Sequence, residues 1–145
     1  MGQQQLLLVI LVTIIVGIAT VVAINVFGTA ATEANRDAVR QDMLAAAAQA
    51  QAIYARPTML NGSGGDFNTL TVPQLLNRLN IPGQLDEPAD APEDSEIENE
   101  NGIYTLTGVG SNGLTIVGAP SSGGNDISLE ISEDAGAWTY DWVEN

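Results

Sequence analysis

The first 56 residues carry two hydrophobic patterns in succession. Residues 6–27 form an apolar stretch without charge, in which only Thr13, Thr20 and Asn25 are polar. Residues 29–56 are rich in Ala and lack Gly and Pro, and apolar residues of one face recur at spacings of three and four. We therefore predict one helix of about 80 Å over residues 3–55, apolar all round at first and then amphipathic. The residues predicted to be buried in the amphipathic half are Val39, Met43, Ala46, Ala50 and Ile53.

The apolar stretch has the length of a membrane-spanning helix. Its 22 residues exceed the number of about 20 that a bilayer requires. It follows the sequence MGQQQ, which carries no basic residue, and it is longer than the apolar region of a secretory signal peptide. We therefore predict a retained transmembrane segment over residues 3–28, followed by the amphipathic half over residues 29–56.

Residues 57–102 are predicted to be a loop region that contains one short helix. Pro57 ends the long helix, and Thr71 is the expected N-cap of a short helix with Pro73 in its first turn. Eight acidic residues lie between positions 86 and 100, with Pro residues among them, which predicts an exposed loop. The short helix is expected to bury Leu75, Leu76 and Leu79.

Residues 103–145 predict an antiparallel sheet of four strands, at 103–109, 114–119, 127–132 and 137–143. Asn112-Gly113 predicts a primed turn in the first hairpin, and EDAG at 133–136 a tight turn in the last. One alternating face of this meander is expected to cover the Ala-rich helix half, giving an α+β fold. That face comprises Tyr104, Leu106, Leu114, Ile116, Ile127, Leu129, Ile131, Trp138, Tyr140 and Trp142.

Composition narrows the function classes. The chain has 18 acidic residues, four Arg, no Lys and a formal charge of −14, so direct basic contact with nucleic acid is not expected. It has neither Cys nor His, which removes thiol nucleophiles, disulfides and imidazole acid–base chemistry. We expect neither enzymatic activity nor a cofactor. The acidic balance fits either a protein adapted to concentrated salt or an ordinary acidic surface protein.

Two weak patterns could mark small sites. Asp90, Glu93, Asp94 and Glu96 could gather a calcium ion, although the spacing of an EF-hand does not occur and a solvated acidic loop is the simpler interpretation. Asn61-Gly62-Ser63 matches the acceptor pattern for N-glycosylation on an expected surface loop.

The order of segments carries a family resemblance. Gly2, a polar triplet, the apolar stretch and the Ala-rich half precede a predicted β-rich region, and this architecture resembles the type IV pilin superfamily. In that family a peptidase cuts after a Gly that precedes the hydrophobic helix, which implies cleavage between Gly2 and Gln3 and a leader of residues 1–2. Bacterial members usually begin the mature chain with Phe and carry Glu at its fifth position, where this chain has Gln3 and Leu7. Bacterial and archaeal sources both stay open.

The resemblance implies a structural subunit of an extracellular filament that polymerises through its apolar helix. The implied partners are further copies of the chain, membrane lipid before assembly, the prepilin peptidase and the pilus assembly machinery. The precursor is expected in the cytoplasmic membrane and the polymer on the cell surface, with adhesion, motility, DNA uptake and secretion as open roles. Residues expected to pack in the filament core are Leu7, Ile10, Ile14, Gly17, Val21, Ile24 and Gly28.

Two alternatives stay open beside the major filament subunit. The chain could be a membrane-anchored extracytoplasmic binding domain whose acidic loop captures a cation. It could also be a minor pseudopilin of a secretion system. Such a pseudopilin would prime or tip a secretion filament, and its abundance would distinguish it from a major subunit.

Overall fold

The computed structural model describes residues 2–144. Met1, which belongs to the expected leader, and Asn145, the last residue of the predicted sheet region, lie outside the described residues. The chain divides into two compact units, one up to Ala34 and one from Asn35 onward. We call them the apolar unit and the globular unit.

One helix, α1, runs from Gly2 to Ala55 and contributes to both units. It continues through Gly28 without interruption and ends before Pro57, whose ring cannot continue a helix. Within the globular unit α1 buries the five residues that the three-and-four spacing predicts, together with Ala47. The long helix and its amphipathic second half are thus confirmed.

The rest of the globular unit consists of a short helix and a sheet. The short helix α2 spans Val72–Leu79, and the Gln74 side chain accepts a hydrogen bond from the Thr71 N–H at 3.3 Å. Its three predicted leucines are buried. The strands are β1 Gln84–Asp86, β2 Glu96–Glu98, β3 Gly102–Thr107, β4 Gly113–Pro120, β5 Ile127–Asp134 and β6 Ala137–Glu144, and short 3-10 turns occupy Thr58–Leu60, Phe67–Thr69 and Pro92–Asp94.

The six strands form one antiparallel meander in chain order. The four predicted strands are present as β3 to β6, and the expected α+β class is confirmed. The sheet is wider than predicted because β1 and β2 lie at the two ends of the acidic segment, which we expected to be entirely loop. Their central residues Leu85 and Ile97 pair with each other, and Ile97 pairs in turn with Tyr104 on β3. Two apolar residues on one face are enough to attach these short strands to the core.

The hairpin turns differ in part from the prediction. Ala135 and Gly136 have φ values of 52° and 89°, which is the pattern of a primed two-residue turn between β5 and β6. The primed turn predicted at Asn112-Gly113 is wrong, since neither residue has a positive φ. The connection between β3 and β4 is longer, and its left-handed residue is Gly108, with φ 58°.

Two aromatic residues of β6 are less buried than the alternation predicts. Tyr140 and Trp142 are 40% and 39% exposed, whereas their partners on β5, Ile131 and Leu129, are buried. The helix covers the central strands, as its close approach to Gly118 on β4 demonstrates. Because β6 lies at the edge of the sheet, only part of each ring is covered.

Candidate membrane and assembly segment

The apolar residues of α1 from Leu6 to Phe27 lie on the surface of the described chain. Their large side chains are between 47% and 75% exposed. No residue of the most apolar 18-residue window is buried, and by length and composition α1 is long enough to cross a membrane. An apolar surface of this extent is too large to face water in a soluble monomer. Lipid or another apolar surface must cover it.

The threonine hydroxyls of this segment, and that of Thr29 just beyond it, are satisfied within the helix. The Thr13 hydroxyl donates to the Ile10 carbonyl at 2.8 Å, and the Thr20 hydroxyl donates to the Val16 carbonyl at 2.8 Å. Thr29 donates in the same way to Asn25 at 3.0 Å. Hydroxyls that bond to the preceding turn need no water, so these threonines are compatible with an apolar environment.

The seven residues predicted for the filament core occupy one stripe of the apolar unit. Their spacings alternate between three and four, so they share a helix face, and all are exposed. A Cβ added at Gly17 or Gly28 would meet no atom within 4 Å. Steric contacts within the chain therefore do not account for glycine at these two positions. Gly2 and Gln3, the predicted processing site, lie exposed in the first turn of α1.

The globular unit holds its part of α1 through an aspartate that sequence analysis missed. The Asp42 Oδ2 accepts hydrogen bonds from the Tyr104 hydroxyl at 2.7 Å, the Asn101 side chain at 2.8 Å and the Asn99 side chain at 3.2 Å. Burial and the neighbouring Asp42 carboxylate raise the pKa of Tyr104 far above its ordinary value of 10.0. Asp42 lies beside Met43, next to the face predicted to be buried. A charged residue at such a position indicates that polar partners surround it, and this was the feature of the sequence that pointed to the network.

Further polar contacts hold the two ends of this helix segment. The Asn35 side chain donates to the Asn101 carbonyl at 3.0 Å and accepts from the Ser122 hydroxyl at 2.9 Å. Near the other end, Gln51 donates to the Tyr140 hydroxyl. Residues 35–55 of the helix are therefore attached to the rest of the globular unit near both ends and in the middle.

The four acidic residues considered as calcium ligands belong to different structural elements. Asp90 precedes the 3-10 turn that contains Glu93 and Asp94, and Glu96 begins β2. Within residues 2–144 no group of three or more carboxylates is arranged to hold a metal ion.

Of the two polar residues of the sequon at Asn61-Gly62-Ser63, one is exposed and the other is buried. Asn61 is exposed in a left-handed conformation, with φ 62° and ψ 30°, after the turn Thr58–Leu60. Its partner Ser63 is only 1% exposed, and the Ser63 hydroxyl has no hydrogen-bond partner in the described part of the chain. In the folded unit the asparagine can be reached while the serine is enclosed.

Comparisons with protein-family models, with curated proteins and with solved structures gave no match. Residues 6–27 offer an uncharged, exposed helical surface whose side chains are almost all apolar.

Proposed function

We propose that this chain is the structural subunit of a type IV pilus-like helical filament and polymerises through residues 6–27. In the membrane, lipid covers the apolar unit. In the filament, the same surface packs against the helices of other copies, and the acidic globular units face solvent. The proposal assigns the chain no catalytic role.

The observation that carries this proposal is that the exposed apolar residues 6–27 and the residues 35–55, which pack in the globular unit, belong to one unbroken helix, α1. A membrane anchor needs about 20 residues and tolerates a flexible linker to its domain. Here α1 has 54 residues, and no linker separates its apolar part from the part that Asp42 and Asn35 fix. The helix is thus longer than an anchor requires, and the same element supplies both the apolar surface and a core element of the globular unit.

The small residues of the apolar unit support packing between helices. Gly17 and Gly28 lie on the stripe of predicted core residues, and their surroundings within the chain are empty. In apolar environments, helix association depends on close backbone approach at such residues rather than on the hydrophobic effect. The remaining residues of the stripe are branched or long aliphatic residues that can interlock with neighbouring helices.

Shearing of cells expressing the chain tests the proposal. We expect the protein in the sheared supernatant, as filaments visible by electron microscopy. A chain that stays entirely in the membrane fraction would support the anchored extracytoplasmic binding domain instead. A chain found in trace amounts beside a more abundant filament protein would support the minor pseudopilin.

The mass of the mature chain tests the maturation step separately. We expect loss of Met1 and Gly2, so that Gln3 becomes the first residue. Replacing Gly2 with Leu should block this cleavage, and Gln4→Leu is the matched control outside the cut bond. A filament built from intact chains would refute processing at Gly2 while leaving the polymer proposal standing.

A further inference from the structure

An open groove lies in the globular unit where α1 ends beside the β5–β6 hairpin. Its volume is about 620 Å³, within the range of small-molecule sites. Tyr54 comes from the last turn of α1, Glu133 from β5 and Trp138 from β6, while Gly64 and Gly65 come from the loop after the turn Thr58–Leu60. These residues lie entirely within the globular unit. The groove is therefore separate from the apolar surface used in the proposed polymer.

The aromatic part of the groove is held by ring contacts. The Tyr54 ring lies 5.2 Å from the Trp138 ring at an interplanar angle of 87°, an edge-to-face arrangement. The centroid of the Tyr54 ring also lies 5.1 Å from the centroid of the buried Phe67 ring. Such contacts fix ring orientation, so the aromatic wall is formed before any ligand arrives.

Glu133 places a negative charge on the groove wall. Its Oε1 accepts a hydrogen bond from the Gly136 N–H at 2.6 Å, and its Oε2 accepts from the Tyr54 hydroxyl at 3.3 Å. Both donors are neutral, so neither cancels the charge of the carboxylate. Two bonds also leave acceptor capacity on the two oxygens, since a carboxylate offers about four sites.

The surroundings add to this negative potential. The carboxylates of Glu133 and Asp66 both raise the pKa of Tyr54, after burial as the larger cause. The end of α1 carries the partial negative charge of a helix C-terminus. Arg56 follows the helix directly, but it does not line the groove. A groove with aromatic rings, a fixed carboxylate and negative surroundings complements an organic cation.

We propose that the groove formed by Tyr54, Glu133 and Trp138 binds a free alkylammonium compound, with the cation between the aromatic rings and the Glu133 carboxylate. The rings contribute through their negative faces, and the carboxylate contributes direct charge pairing. The inference does not depend on polymerisation, because every group belongs to one globular unit.

Fluorescence titration of the full chain in non-ionic detergent tests the site, with choline chloride as the probe. A Trp142→Phe background leaves Trp138 as the single tryptophan reporter. We expect saturable change with choline, and none with 3,3-dimethylbutan-1-ol, which has the same shape without the charge. Sodium chloride at equal ionic strength controls for screening of the acidic chain.

Glu133→Gln keeps the size of the side chain and one acceptor oxygen, but it removes the charge and replaces the second oxygen with an amide donor. We expect it to weaken choline binding by about tenfold. Glu130→Gln removes the same charge from an exposed position of β5 outside the groove and should bind like the parent chain. Thermal melting followed by circular dichroism verifies that both variants are folded.

Three outcomes would overturn the inference. The first is no saturable response to choline in the folded parent chain. The second is equal affinity for choline and its neutral isostere, which would indicate an apolar site. The third is an equal loss of affinity in Glu130→Gln and Glu133→Gln, which would indicate that only the overall negative charge attracts the probe.

Discussion

At the scale of single residues, Asp42 is the most consequential polar group of the globular unit. It accepts hydrogen bonds from three side chains, and the ring of one of them, Tyr104, is fully buried. We expect Asp42→Ala to lower the free energy of unfolding by about 2–3 kcal/mol, because it removes the acceptor shared by the buried Tyr104 side chain and two half-buried amides. Urea unfolding of the chain in detergent, followed by circular dichroism, measures the change.

Asp37→Ala is the matched control for that substitution. Asp37 pairs with Arg40 on the exposed side of the same helix at 2.8 Å, and exposed pairs of this kind contribute less than about 1 kcal/mol. A similar loss of stability in both variants would show that helix propensity or net charge, rather than the Asp42 network, causes the effect.

Two tyrosines should also make the stability of the globular unit depend on pH in the alkaline range. The pKa values of Tyr104 and Tyr54 are raised in the folded chain, in both cases by burial first and by a neighbouring carboxylate second. Unfolding returns each pKa to about 10, so above that pH the unfolded chain releases protons that the folded chain retains. We therefore expect full stability below about pH 10 and progressive loss above it.

Unfolding by urea at pH 8, 10 and 11 measures this loss. The chain has neither Lys nor Cys, the other side chains that ordinarily lose a proton near this pH. Tyr104→Phe should be less stable at pH 8, because it loses a hydrogen bond, but should show a smaller further loss between pH 8 and 11. An unchanged loss in that variant would contradict the assignment to Tyr104.

The residue scale is also where sequence analysis reached least far. The alternating apolar face of α1 could be predicted because helix geometry alone fixes it. The partners of Asp42 could not, since Asn99 and Asn101 are more than 55 residues away and lie in a segment expected to be loop. The groove at Tyr54 and Glu133 was missed for the same reason: it depends on how α1 and the last hairpin meet.

At the scale of elements, α1 and β4 approach each other closely at Gly118. A Cβ at this position would lie 2.6 Å from the Val39 Cγ1 and 3.0 Å from the Met43 sulfur. We expect Gly118→Ala to lower the free energy of unfolding by about 1–3 kcal/mol, because a filled core tolerates an added methyl group poorly. Thermal melting in detergent measures the effect.

Two further variants make this prediction specific. Gly110→Ala is the control, since a Cβ there meets only a carbonyl oxygen at 3.8 Å, and it should change stability by less than about 0.5 kcal/mol. Combining Gly118→Ala with Val39→Ala should cost less than the sum of the two single changes, because Val39→Ala makes room for the added methyl group. Strict additivity would contradict a contact between the two positions.

The strands differ in how well their local sequence predicts them. β3 to β6 have long alternating patterns and turn residues between them, and all four were predicted. β1 and β2 have three residues each, with Leu85 and Ile97 as their sole large apolar members, so their acidic neighbours dominated the composition. Such strands form because an existing sheet edge pairs with them, which local sequence does not encode. Partial exposure of Tyr140 and Trp142 likewise follows from the edge position of β6.

At the scale of the whole molecule, the charge of −14 should make stability depend on salt if the chain is adapted to concentrated salt. The Debye screening length falls from about 30 Å at 0.01 M salt to about 3 Å at 1 M, so the higher salt concentration removes most of the repulsion among the acidic side chains. We expect the melting temperature to rise between these conditions. Neutralising four exposed acids, Glu87, Asp90, Glu93 and Asp94, to their amides should reduce the rise. Equal melting temperatures of the parent chain in both conditions would favour an ordinary acidic surface protein.

Polymerisation is the property of the whole molecule that Gly17 tests most directly. Gly17→Leu adds an apolar side chain in the middle of the apolar segment, so membrane insertion and helix formation should both be maintained or improved. Apart from the surrounding turns of α1 itself, no atom of the described chain lies within 4 Å of a Cβ at this position, so the folded monomer accommodates the change. If copies pack closely at Gly17, the added side chain separates their backbones and filament yield should fall several-fold.

Val16→Leu controls for the effect of a larger apolar residue next to Gly17. Val16 lies off the predicted stripe and is exposed, so its replacement should leave filament yield close to that of the parent chain. Yield is measured as the sheared fraction relative to the membrane fraction, which separates failed assembly from failed insertion. Normal filaments from Gly17→Leu would place the packing surface on another face of α1. Loss of filaments from both variants would show that assembly requires the exact volume of the segment rather than close approach at one glycine.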